Sequence, residues 1–102
     1  MIHLSQFELM KQFIYENLQE GNAGNGHVKN NQYLHFWTPI MERYEDKIIL
    51  NQTRYSLVTG RLQKQMKELI PSDKIIFVSK VPEGYKGSLK DFIGKNWGGL
   101  YE

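Results

Sequence analysis

Three groups of residues in this 102-residue chain have types that could do chemistry: three histidines, a knot of carboxylates, and a corner dense in hydroxyl, guanidinium and amide groups. His27 and His35 lie either side of Asn30-Asn31, and imidazoles paired across a hairpin could hold a metal ion. No third ligand follows at metal-site spacing, and the chain has no Cys. Neither a thiolate zinc site nor a disulfide framework can form. No metal or cofactor is therefore expected, and His35 is expected on the solvent side of its strand. The carboxylates Glu42, Glu45 and Asp46 are close in sequence. Acid–base work on a glycosidic bond needs two such groups facing across a cleft; three around one turn read as a solvated turn. A nucleophile elbow, a Walker loop and a His-Glu-x-x-His pair are all missing from the sequence. Gly21, Gly24 and Gly26 do not follow a strand, so they do not read as a dinucleotide loop. No catalytic residue is expected, and the chain reads as a non-enzyme.

The third group is residues 55–63, Tyr-Ser-Leu-Val-Thr-Gly-Arg-Leu-Gln. It joins a strand-like run, Lys47-Ile48-Ile49-Leu50, to a helix-like run over about residues 59–70. Either Ser56 or Thr59 suits the helix N-cap. The backbone amides of the first turn would then point outward, with Arg54 and Arg61 on either side. A helix N-terminus beside hydroxyls and guanidinium groups suits an anion, and the same residues also suit a simple cap between solvated arginines. Arg54, Ser56, Thr59, Arg61, Gln63, Lys64 and Lys67 are the expected binding residues. Trp37 and Trp97 are the expected aromatic anchors, since exposed tryptophans concentrate binding energy.

The positioning elements can be read along the chain. Ser5 followed by Glu8 forms a capping box with Leu4 and Leu9 as its staple, opening a helix. Its stripe is Phe7, Met10, Ile14 and Leu18, with Phe13 adjacent. Residues 20–26 are too rich in Gly and Asn to continue it. Strands at 27–29 and 33–36 flank an Asn30-Asn31 turn. Pro39 marks an edge strand, a bulge or a strand start. Strands at 40–44 and 47–51 pair across Glu45-Asp46. Leu62, Met66, Leu69 and Ile70 form the buried stripe of the second helix, leaving Arg61, Gln63, Lys64, Lys67 and Glu68 outward. A strand over 74–79 follows, and Ser88 caps a short last helix through Phe92 and Ile93. The expected fold is α+β. A small antiparallel sheet of four or five strands packs against the N-terminal helix and a second helix near 59–70, in one domain over 1–102 with a flexible tail at 94–102.

Composition bounds the function. The apolar fraction is 40%, enough for a small core. No apolar run approaches the roughly 18 residues of a membrane span, and the start lacks the pattern of a secretion signal. No membrane partner is expected. Net charge is −2 over residues 1–53 and +4 over residues 54–102, so the second half would favour an anionic partner or simply carry a solvated lysine face. Arg54, Arg61, Lys64, Lys67, Lys86, Lys90 and Lys95, with Tyr85 and Trp97 to stack bases, suit nucleic acid, although no recognised motif spans them.

The runs 31–40 and 47–51, then Tyr55-Ser56-x-x-Thr59-x-Arg61-x-Gln63, resemble small proteins of unknown function encoded by bacteriophages and prophages. The resemblance covers about residues 24–70. Met41 stands where that family has Ala, Gly60 where it has Ser, and Val58 where it has Thr. The resemblance implies a mobile-element origin and a bacterial cytosol, and it implies no activity. The expectation is a phage accessory protein that binds a host or defence-system protein, an anti-CRISPR-type inhibitor in its sharper form. The alternative is a nucleic-acid-binding regulatory protein using the basic second helix, and a third is an enzyme on a phosphorylated small molecule at the same corner. The oligomeric state is not legible; a homodimer is compatible with the sequence.

Overall fold

The computed structural model of the protein describes residues 5–93. Helix α1 (Gln6–Tyr15) opens where the Ser5 hydroxyl accepts from the Glu8 amide at 3.1 Å. It buries Leu9, Met10 and Phe13, leaves Phe7 exposed and ends before Leu18. The expected stripe is thus rotated and shorter, because the chain turns back into a strand that sequence reading missed. That strand, β1 (Glu20–Ala23), pairs antiparallel with β2 (Gly26–Lys29) across a turn where Gly24 has φ +57°. A Cβ on Gly21 would meet Leu9 Cδ1 at 2.9 Å, so the missing side chain lets β1 lie close against α1.

The meander continues through β3 (Gln32–His35), β4 (Thr38–Tyr44) and β5 (Lys47–Asn51), all antiparallel neighbours. Asn30 and Glu45 take the positive φ that their tight turns need. Pro39 lies second in β4, opposite a register shift at Tyr33/Leu34. It is a strand start facing a bulge inside the sheet, not an edge. The sheet has six strands in sequential order, more than expected. Its last pair is parallel: α2 (Leu57–Leu69) carries the chain back so that β6 (Ile75–Val78) runs alongside β5. A crossover of that length is what parallel pairing requires. The architecture is α+β with a mixed sheet.

Both helices cover one face. Leu9, Met10 and Phe13 meet Val28, Tyr33, Ile48, Leu50, Met66 and Ile70 in the main core. The other face, centred on Ile49 and Val78, is covered by a strap over residues 80–93 that contributes Val81, Leu89 and Phe92. A 3-10 turn (Leu89–Phe92) capped by Ser88 stands where the last helix was expected. Two adjacent β4 residues fasten the two layers, since strand neighbours point to opposite faces. Glu42 is buried, and its carboxylate accepts from Gln32 Nε2 (2.8 Å), Ser88 Oγ (2.5 Å) and the Leu89 amide (2.8 Å). It is therefore the strap's latch and not part of a solvated turn. Arg43 stacks over Phe13 and donates to the carbonyls of Phe13, Leu18 and Asn30, satisfying backbone acceptors as α1 exits. No helix among the described residues is long and apolar enough to cross a membrane.

Candidate functional site

Ser56 is the cap of α2: its backbone is extended and its hydroxyl accepts from the Thr59 amide at 3.2 Å. The loop before it is locked by side chains. Asn51 is fully buried; its amide group donates to the Pro39 carbonyl and to the Tyr55 hydroxyl, and its oxygen accepts from the Thr53 amide. Tyr55 in turn donates to the Val81 carbonyl at 2.7 Å. Gln63 donates to the carbonyls of Asn51 and Thr53 at 2.7 and 2.9 Å. Expected as an outward binding residue, Gln63 instead spends its donors on the loop backbone, whose carbonyls would otherwise be unpaired.

On this rigid corner opens a groove of about 550 Å³, lined by Arg54, Tyr55, Leu57, Gly60, Arg61 and Lys64 with Ser56 and Gln63. The side chains of Arg54, Arg61 and Lys64 make no hydrogen bond or ion pair among the described residues. The first turn of α2 holds no acidic residue. The positive end of the helix dipole and three uncommitted cations therefore face the same space. A Cβ on Gly60 would meet nothing within 4 Å, so the glycine leaves the groove open. Its lining includes an exposed aliphatic side chain, Leu57 at 83%, and Val58, 55% exposed, follows it outside the lining. Sequence reading passed over both, since neither is anomalous until the helix start is known to face outward.

The remaining expected residues divide. Lys67 lies outside the groove, its ammonium 5.6 Å from the Phe77 ring centroid. Trp97 lies outside the described residues. Trp37 is exposed, and its ring stacks on His27 at 4.0 Å and 8°. It sits at the tip of the β3–β4 hairpin with Phe36, and both have positive φ, 51° and 63°. A two-residue turn of that kind normally takes Asn-Gly, because a left-handed non-glycine residue costs about 1–2 kcal/mol. Two large aromatics there, both exposed, are held against that preference. Phe36 shares a cavity wall with Ser56 and Thr59, so the hairpin tip and the start of α2 are neighbours.

Thr59 is buried and does not cap the helix. Its Oγ1 lies 3.0 Å from His35 Nδ1 and 3.1 Å from Ser56 Oγ. His35 is buried too, contrary to the expected solvent position, because α2 lies over the end of β3. Burial, and secondarily the nearby His27, hold its pKa below the ordinary imidazole value. Among the described residues no group of three His, Asp or Glu could hold a metal ion. Comparison with known proteins finds no family model, no curated protein and no solved structure that matches the chain.

Proposed function

We propose that the protein acts by binding a macromolecule at the β5–α2 corner. In this reading it is a mobile-element accessory protein that occupies the surface of a bacterial host or defence-system protein, as an anti-CRISPR-type inhibitor would. The supporting observation is the composition of the corner: the groove is lined by the exposed aliphatic Leu57 together with uncommitted cations at Arg54, Arg61 and Lys64, and exposed Val58 follows Leu57 beside it. Interfaces between proteins carry such an apolar core with a polar rim. The rim suits a partner whose own apolar patch is edged with carboxylates. Phe36 and Trp37, presented at the adjacent hairpin tip, extend the surface with aromatic anchors.

Nucleic acid is the second reading, favoured by Arg61, Lys64 and Lys67 along one helix. Aliphatic Leu57 and Val58 do not stack on bases, which favours a protein. The test is capture from host lysate with and without nuclease, followed by titration of the purified captured protein. Capture should survive nuclease, and Leu57→Asp should weaken the purified complex about thirtyfold, the effect of one hot spot near 2 kcal/mol. Loss of capture on nuclease treatment, with salt-sensitive binding to bare DNA or RNA that Arg61→Glu abolishes and Leu57→Asp does not, would overturn this reading.

A further inference from the structure

The sheet ends at β6, and no other strand among the described residues pairs with its outer side. The Gln52 amide donates to the Val78 carbonyl at 2.7 Å, so Val78 aims its backbone groups at β5. That direction alternates along a strand. Ile76 therefore also faces β5, while Ile75 and Phe77 aim their N–H and C=O groups outward. Neither has a backbone partner on that side among the described residues. An edge of this kind is a template for another strand. It is apolar as well: Phe77 is exposed, and Ile75 and Ile76 are half-buried.

Symmetry and charge say which strand fits. Take a second copy of β6, antiparallel and centred on Ile76. Ile75 then lies opposite the second copy's Phe77, and Phe77 opposite its Ile75. Both outward-facing residues enter hydrogen-bonded pairs, and both pairs are apolar. The charges at the strand ends agree with this arrangement. Asp73 precedes β6 and Lys80 follows it; both are exposed, and neither side chain has a hydrogen bond or ion pair among the described residues. Antiparallel pairing brings each Lys80 to the end that holds the other copy's Asp73, whereas parallel pairing would set like charges together. The opposite edge, β1, is a poor substitute. It carries Glu20 and Asn22, and β6-to-β1 pairing would propagate without closing, while β6-to-β6 pairing closes as a twofold dimer.

We infer that the outer edge of β6 is a self-association surface, on which a second copy of this chain adds its own β6 antiparallel about Ile76 and joins the two sheets. This surface is separate from the β5–α2 corner, and the inference stands without the docking reading. Lys67, whose ammonium sits over the Phe77 ring, is a like charge near the twofold axis and opposes the association. Two four-residue strands also bury less than the roughly 1,200 Å² of a stable complex. The dimer is therefore weak, with a dissociation constant on the order of tens of micromolar.

The experiment is sedimentation of the full chain from about 5 to about 500 μM, with amide exchange of Phe77 followed by NMR over the same range. The mass should rise from monomer to dimer, and protection of the Phe77 amide should rise with it, while the Ile76 amide stays protected throughout. Phe77→Pro removes an outward donor and no bond to β5, so it should keep the fold and stay monomeric. Asp73→Lys and Lys80→Asp should each weaken the dimer about tenfold, and the two together in one chain should restore it, because the reversed charges match again. Lys80 has φ 63°, a conformation that Asp tolerates. Both charge changes lie outside the strand, so they test the pairing even where Phe77→Pro fails to fold. A chain that stays monomeric throughout, a dimer indifferent to Phe77→Pro, or reversals that do not rescue each other would overturn the inference. So would a Phe77 amide fully protected in the monomer, since the chain itself would then occupy the edge.

Discussion

Thr59→Val isolates the buried hydrogen bond between Thr59 and His35 at the start of α2. The substitution keeps the branched shape and removes one hydroxyl. His35 Nδ1 then loses its partner at 3.0 Å while Nε2 already lacks one, so a buried imidazole is left with no hydrogen bond. Leaving a buried polar atom unpaired costs about 1–3 kcal/mol. The bond to the more exposed Ser56 hydroxyl adds a few tenths, and the expected total is about 2 kcal/mol. For a domain of this size that lowers the melting temperature by roughly 10 °C. The helix cap itself survives, since Ser56 Oγ still accepts from the residue 59 amide. The measurement is a double-mutant cycle by urea and thermal unfolding with His35→Phe, which removes the other partner. When both partners become apolar the unpaired group disappears, so Thr59→Val in the His35→Phe background should cost about 0.5 kcal/mol or less. The expected coupling exceeds about 1 kcal/mol. An additive cycle, or a single-mutant cost below about 0.5 kcal/mol, would refute the contribution of the buried Thr59–His35 hydrogen bond.

Other expectations follow from the same geometry. Glu42→Ala removes an acceptor shared by Gln32, Ser88 and Leu89, and should destabilise by about 3 kcal/mol while making residues 80–93 the first site of limited proteolysis. Phe36→Asn with Trp37→Gly relieves two left-handed residues at the loss of the Trp37–His27 stack. The pair should raise the urea midpoint, for a net gain of about 1 kcal/mol, while weakening partner capture. Gly60→Ala meets no atom and improves helix propensity, so it should stabilise by about 1 kcal/mol yet intrude on the groove and weaken docking. His35 is held below its ordinary pKa of 6.5, so the unfolded chain takes up a proton there before the folded one does. Stability should fall as pH drops below about 6.5, by at most about 1.4 kcal/mol per unit from this group, and His35→Phe should flatten that slope in pH-dependent urea unfolding.

What the sequence determined by itself was local. The Ser5 and Ser88 caps, the Asn30-Asn31 and Glu45-Asp46 turns and the Leu62, Met66, Leu69, Ile70 stripe each depend on residues within a few positions, and each stands in the fold. The groove was legible for the same reason: Arg54, Ser56, Arg61 and Lys64 are close along one chain segment, so the helix start gathers them without help from elsewhere. Tertiary structure alone decided the rest. A Gly- and Asn-rich stretch became β1 because β2 supplies its hydrogen bonds, and β6 ran parallel because α2 had to cross the sheet first. The fates of polar side chains were decided farthest from their own neighbourhood. His35 is buried by a residue 24 positions away, Glu42 by one 47 positions away, and Gln63 turns inward to a loop 10 and 12 positions back. A polar side chain goes inside only where a distant partner satisfies it, and that partner is not visible in the residues beside it.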